Sequence, residues 1–248
     1  MNVSLTKGVQ KIIRTMPLVE ALIACGGFYE CPKGENGIRL GPLVGYAGRD
    51  KNGRQFVGDV YINIAALEAY PHVLWSLSRD LNEKLSSCNS NHTLTDCVFC
   101  GAPLGGIVLA SMMAGHVCAR FVYPEKEVLE LATKESREKT RVVFKRHEIY
   151  KGDKVIIVED VCNNFSTTKE LIELVRESGG HVVKIACLVN RSPEKVFCVR
   201  TDTQSIPVVG LLEKAIAQYE QDDLRVIQDI RNGNVVWKPK AEWSRLMT

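Results

Sequence analysis

The chain has 248 residues, with 32 basic against 29 acidic side chains and a formal net charge of +3. Its 45% hydrophobic and 25% charged content is that of a folded globular protein. The balance is too close to neutral for the dense basic stripe of a nucleic-acid binder. There is no run of 18 apolar residues, and Lys7, Lys11 and Arg14 interrupt the first apolar face. The expectation is therefore a cytoplasmic protein without signal peptide or membrane span.

The first elements alternate between helix and short strands. Val9, Ile12, Ile13, Met16, Val19, Leu22 and Ile23 recur at helical spacing between Lys7 and Cys25, with Pro17 set to break or bend the helix. Glycines at 34, 37, 41, 45 and 48 punctuate short strands and turns, and Asp50-Lys51-Asn52-Gly53 reads as a hairpin turn. Phe56–Ile64 reads as a strand, and Leu67–Leu85 as an amphipathic helix. Cys97–Cys100 is then a strand, the glycine-rich 101–106 a loop, and Ile107–Gly115 a helix. Glycines in such a loop let backbone N–H groups approach a ligand. Val117–Tyr123 is a further strand.

The nine cysteines lie mostly in apolar runs and read as reduced small hydrophobes. Cys97 and Cys100, with Cys25 and Cys31, are the available zinc set. Strand alternation sends the thiols of Cys97 and Cys100 to opposite faces, which argues against a zinc site.

Residues 123–150 are too charged for a second core and read as a solvated loop with a two-stranded ribbon, or as a mobile lid bringing cations over an anion. The four apolar residues Val155–Val158 follow, a strand buried on both faces and hence parallel. They lead into Glu159 and Asp160, the polar loop Cys162–Ser166, and a helix with Leu171, Ile172, Leu174 and Val175 on its apolar face. Strand, polar loop and helix start form an arrangement that takes a phosphate at free N–H groups. The acids would repel that phosphate, so they face ribose hydroxyls, a metal or solvent. His181–Val189 is another buried strand, closed by Asn190-Arg191-Ser192-Pro193. Ile206–Val209 is expected as a last strand, and Leu211–Tyr219 and Asp223–Ile230 as helices. The tail from Trp237 to Trp243 has no assignment. Alternating strands and helices predict a parallel sheet covered on both faces, with the loops after Cys100, Tyr123, Asp160 and Val189 meeting at one edge.

The stretch Val155–Thr167 resembles the phosphoribosyl-pyrophosphate loop of the type I phosphoribosyltransferases. Gly27-Phe28, Lys33-Gly34, Val60–Asn63, Phe99–Ile107 and Leu188–Arg191 are similar to successive segments of the orotate-using branch. The resemblance implies an α/β fold: a twisted, mostly parallel sheet with helices on both faces and a small N-terminal hood. It implies one domain over 1–248, with about 1–65 as hood, about 66–220 as sheet core and about 221–248 as C-terminal helix and tail. The implied reaction moves ribose 5-phosphate from phosphoribosyl pyrophosphate to orotate, releases pyrophosphate and uses Mg2+. A homodimer is implied as well.

Carried over residue by residue, Glu159 and Asp160 hold the ribose hydroxyls and touch the metal only through the substrate. Asn163, Asn164, Phe165, Ser166 and Thr167 cradle the 5′-phosphate, and Ala102, Pro103, Leu104 and Gly105 take the pyrophosphate. Lys126, Arg146 and His147 are the catalytic lid groups, and Phe28, Lys33 and Arg191 the base contacts. Lys134, Arg137, Lys139, Arg141 and Lys145 are further lid cations. The chain departs from the family in placing Phe165 where glycine is usual and Leu104 where lysine is usual. Two alternatives follow: a transferase for another base or acceptor, and a non-catalytic nucleotide-binding regulatory protein of the same fold.

Overall fold

A computed structural model describes residues 16–88, 92–130, 139–192, 196–198 and 205–247. The chain divides into two units, 1–70 with 215–248 and 71–214.

In the first unit, helix α1 spans Leu18–Ala24, and Pro17 stands at its N-cap. The proline begins this helix, where its missing N–H leaves no bond unmade; the expected turns from Lys7 to residue 15 lie outside the described residues. Strand β1 (Phe28–Glu30) pairs with β4 (Val60–Ile62), and β2 (Leu43–Arg49) with β3 (Gln55–Gly58), both antiparallel. The Asp50 carboxylate accepts from the backbone N–H groups of Asn52 and Arg54, closing the predicted hairpin. The expected strand Phe56–Ile64 is split between β3 and β4 at Asp59. This side chain receives Arg39 at 2.5 Å and Lys33 at 3.2 Å. The single helix expected over Leu67–Leu85 is also two, α2 (Ala65–Glu68) and α3 (Pro71–Ser87), because Pro71 has no N–H to continue the first.

The C-terminal part of this unit corrects two further expectations. Residues 211–219 are not helical: the strand before them runs on to Glu213, and Tyr219 bridges Val57. Within Asp223–Ile230 the helix is only the short Ile227–Arg231. Val235–Val236 adds to β2 in parallel, and Leu43, Val57, Val226 and Val235 form a small core on which Trp237 packs. Trp243 donates its indole N–H to the Gly26 carbonyl at 2.9 Å. The unassigned tail is thus part of this unit's packing.

The second unit is a layered α/β body. It contains α3, β5 (Cys97–Gly101), α4 (Gly105–Val117), β6 (Arg120–Val122), β7 (Glu125–Glu130), β8 (Lys139–Val143) and β9 (Lys154–Cys162). Then come α5 (Ser166–Glu177), β10 (His181–Asn190), β11 (Val196–Cys198) and β12 (Ser205–Glu213). The sheet order is β11-β12-β10-β9-β5-β6, parallel except at the β11 edge. Val155, Ile156, Ile157 and Val158 of β9 are fully buried, each contributing roughly 1.5–3 kcal/mol. Helices α4 and α5 both pack on β9. The face toward α5 carries Val155, Ile157, Ile185 and Cys187 with Leu171, Ile172 and Val175. The C-terminal end of α3 is held by Lys184, whose buried ammonium donates to the Leu85 carbonyl at 2.7 Å, a cation at the negative end of a helix. Among the described residues no helix is long and apolar enough to cross a membrane.

Candidate active site

From β5 the chain winds outward to β6, and from β9 outward the other way to β10 and β12. The order reverses between β5 and β9, so the crevice for a ligand opens at their carboxyl ends. The loop 102–104 and the acids of β9 meet there. The Ala102 N–H donates to the Val158 carbonyl at 2.9 Å, tying the loop to β9. The peptide bond between Pro103 and Leu104 is cis.

The two glycines that follow explain the approach of α4. A Cβ on Gly106 would lie 2.0 Å from the Val158 carbonyl oxygen, and one on Gly105 would lie 2.4 Å from the Asp160 carboxylate. The start of α4 therefore rests directly on the end of β9. Leu104, where the resembling family carries lysine, is 83% exposed.

The strand that holds the apolar run Val155–Val158 continues to Cys162, so both acids lie inside it. Alternation puts Asp160 on the α4 side, against Gly105, and Glu159 on the side of Val155 and Ile157. An Asp160 oxygen accepts the Val161 N–H at 2.7 Å. Glu159 stands opposite Cys187 in the ladder. Burial first, then the charge of Asp160, push the Glu159 carboxyl up to about 8, against the opposing pull of Lys126.

The loop after β9 forms an Asx turn. Asn164 Oδ1 accepts from the Ser166 N–H at 3.2 Å and the Ser166 hydroxyl at 3.0 Å. Phe165 occupies the N-cap of α5 at φ 56° and ψ 22°, and its own side chain makes no capping hydrogen bond. With the Ser166 N–H taken by Asn164, the other first-turn N–H groups have the task of meeting an anion. The Phe165 ring is 6% exposed and belongs to the apolar cluster beneath α5. It does not fill the cradle; the residue offers the loop only its backbone. Left-handed backbone at a side-chain-bearing residue costs about 1–2 kcal/mol, which burying the ring offsets with roughly 1.5–3 kcal/mol. Of the other loop residues, Asn164 and Ser166 are exposed, Asn163 and Thr167 half-buried.

Arg191, at the end of β10, is buried, and its N–H donates to the Cys162 carbonyl at 2.8 Å. Its neighbour Asn190 stands beside Cys162 in the ladder. The cations cluster on the ribbon. Strands β7 and β8 pair antiparallel with Lys126 opposite Val142. Glu127 takes Arg141 at 2.7 Å and Lys145 at 3.2 Å, and Glu125 takes Arg146 at 2.9 Å. Of the three expected lid groups, then, Arg146 is held by a ribbon acid. His147 packs edge-on against Tyr123 with ring centroids 4.6 Å apart. Lys126 is the one whose charge acts on Glu159. Lys134 and Arg137 lie outside the described residues.

The expected base contacts Phe28 and Lys33 belong to the first unit. Phe28 is half-buried opposite Ile62. Lys33 shares Asp59 with Arg39, which also reaches Asp229 at 3.1 Å. That ionic cluster escaped sequence reading because its members are far apart in the chain. The Gly105–Asp160 approach had a visible signal, the Gly-Gly pair opening a helix, whose partner only the fold supplies. Among the described residues no three His, Cys, Asp or Glu side chains gather as metal ligands.

Residues 76–219 match the family described as phosphoribosyl transferase domain. The chain is 31% identical over 165 residues to an orotate phosphoribosyltransferase of Caldanaerobacter subterraneus subsp. tengcongensis, covering 66% of this chain and 75% of that one. It is likewise 31% identical over 163 residues to an orotate phosphoribosyltransferase of Caldicellulosiruptor saccharolyticus, covering 66% and 74%. The solved orotate phosphoribosyltransferase of Aeropyrum pernix is similar in fold, with a TM-score of 0.50 at 19% identity over 87% of this chain and 98% of that one.

Proposed function

This chain belongs to the phosphoribosyl transferase family and is a phosphoribosyltransferase; on that premise we propose that its acceptor is orotate and its donor phosphoribosyl pyrophosphate. The observation that carries the choice of orotate is the 31% identity to two orotate phosphoribosyltransferases over about two thirds of the chain. Arg191 supports it physically. A buried guanidinium at the end of β10 suits a base that bears a carboxylate, and has no such task with a neutral purine.

In this reading the donor lies across the crevice between β5 and β9. Its 5′-phosphate meets the 163–167 loop and the α5 N-terminus, where the N–H groups and the helix dipole favour an anion. Its ribose hydroxyls donate to Asp160 and Glu159. Its pyrophosphate lies along 102–105, where glycine lets the backbone come close. The base nitrogen displaces pyrophosphate at the anomeric carbon, so positive charge develops on the ribose and negative charge on the leaving group. Lys126 stabilises the departing pyrophosphate, an interaction that strengthens as charge develops. The oxygen donors Glu159 and Asp160 fit a hard divalent cation reached through the substrate; Mg2+ would neutralise pyrophosphate charge when bound. A homodimer is part of the same reading, and sedimentation measures it.

The test is pyrophosphate release with phosphoribosyl pyrophosphate, Mg2+ and a panel of orotate, uracil, adenine and hypoxanthine. Turnover with orotate alone is the expected result. Turnover with another base and not orotate reassigns the acceptor. Saturable donor binding without turnover would favour the non-catalytic alternative, for which the exposed Leu104 in the lysine position is the specific argument.

A further inference from the structure

Phe165 is the residue that the functional reading leaves without a task. Its left-handed backbone is a conformation glycine adopts freely and phenylalanine does not. A loop selected only to hold phosphate would carry glycine. The ring instead enters the apolar cluster that also contains Val142 of β8 and Ile149, and Phe144 packs against the same cluster. Helix α5, which Phe165 opens, packs on β8 as well as on β9 and β10. Val142 is the ladder partner of Lys126. A packed path therefore runs from the loop at 163–167, through Val142 of the ribbon, to Lys126 across the ladder from it.

We propose that Phe165 is a positioning residue: an apolar peg that fastens the β7–β8 ribbon to the phosphate loop and thereby sets where Lys126 stands beside the acids. This rests on the reading of the crevice as a phosphoribosyl-pyrophosphate site. The placement has a physical logic. Two charged strands have little apolar surface of their own with which to dock, so the little they bury, Val142 in the cluster that holds Phe165, decides their position. Placing that contact on the loop that receives the phosphate links the two elements that must be in register when pyrophosphate leaves.

Four variants test it: Phe165→Gly, Phe165→Leu, Val142→Ala and Lys126→Ala, with Phe165→Gly also made in the Lys126→Ala background. Steady-state pyrophosphate release and amide hydrogen exchange of the ligand-free protein are measured on each. Phe165→Gly relieves the backbone and removes the peg. Its kcat is expected to fall about tenfold or more with the donor KM moved less than about threefold, the pattern of an interaction made in the transition state. Phe165→Leu restores kcat to within about threefold of the parent, and Phe165→Gly costs less than about twofold once Lys126 is gone. Exchange at 125–130 and 139–143 accelerates about tenfold in Phe165→Gly and in Val142→Ala, while β9 and β10 keep their protection.

Equal kcat losses from Phe165→Gly with and without Lys126, or exchange that accelerates evenly across the sheet, would overturn the proposal and leave Phe165 an ordinary core residue. If Phe165→Gly does not fold, Val142→Ala probes the same cluster from the ribbon side, with the same two outcomes. The exchange readout needs no substrate. A parent without turnover on any base would sink the functional reading while exchange still decides the peg.

Discussion

Replacing Gly105 by alanine tests the heart of the crevice. The backbone at Gly105 is not left-handed, so alanine meets no conformational barrier. As the first residue of α4 it should by itself stabilise the helix by about 0.5–1 kcal/mol. The new methyl, however, would lie 2.4 Å from the Asp160 Cγ and Oδ2, where ordinary contact begins at 3.4 Å. The carboxylate must withdraw by about 1 Å, a misplacement that is able to cost about 10²-fold in rate. It also strains the 2.7 Å bond from the Val161 N–H, worth about 1 kcal/mol. Stability terms therefore nearly cancel, and the melting temperature should move by only a few degrees. Catalysis has no such compensation. Losing one ribose hydroxyl bond to a charged carboxylate removes about 1.5–3 kcal/mol, so kcat/KM should fall about 10- to 150-fold. The assay is pyrophosphate release at varied donor concentration, paired with thermal melting, for Gly105→Ala, Asp160→Ala and the double variant. With the carboxylate deleted, the methyl has nothing to displace, so Gly105→Ala should be nearly harmless in the Asp160→Ala background. The same loss factor in both backgrounds would refute the idea that Gly105 acts by leaving room for Asp160.

The other predictions concern charge. Because the folded Glu159 carboxyl lies near 8 against an ordinary 4.5, the native state holds the extra proton. Stability therefore falls as pH rises from about 4.5 through about 8. Glu159→Gln should melt above the parent at pH 8.5 and not at pH 4. Ribose hydroxyls favour the charged form, so donor binding at pH 7 should expel up to about one proton, seen by calorimetry as a buffer-dependent heat that vanishes in Glu159→Gln; a buffer-independent heat in the parent sinks that contact. Lys126→Ala should lower kcat about 10²- to 10³-fold, by analogy with removal of an oxyanion donor. Arg146→Ala, already paired with Glu125, should lower it less than about threefold, and the reverse ranking would reassign the lid cation. Arg191→Gln should raise KM for orotate about tenfold with the donor KM changed far less; equal losses would remove Arg191 from the base site.

The sheet was legible because burial on both faces writes itself as unbroken apolar runs, as at Val155–Val158 and His181–Val189. What escaped was decided by single residues acting on the backbone. Pro71 splits a helix whose apolar spacing runs straight through it, and the strand breaks at Asp59, where pairing passes from β2 to β1. Leu211–Tyr219 had helical spacing, yet Leu211–Glu213 continue the strand, where pairing with β10 outweighs local preference. The end of β9 lies beyond its apolar run for a related reason. Two acids look like the close of a strand, but backbone pairing with β10 is indifferent to side-chain charge and carries the ladder on to Cys162.

That extension changes what the acids are. Were they in a loop after Val158, Glu159 and Asp160 would share solvent and behave as equals. Inside a strand they alternate, and each inherits the surroundings of its face. Asp160 meets the glycines of α4, with room for a carboxylate and a backbone N–H to hold it. Glu159 meets the apolar face toward α5, where burial favours the neutral acid. The adjacent acids are thus poised differently before any ligand arrives. Asp160 is a fixed acceptor. Glu159 becomes one only as a proton leaves, with Lys126 setting how readily it goes.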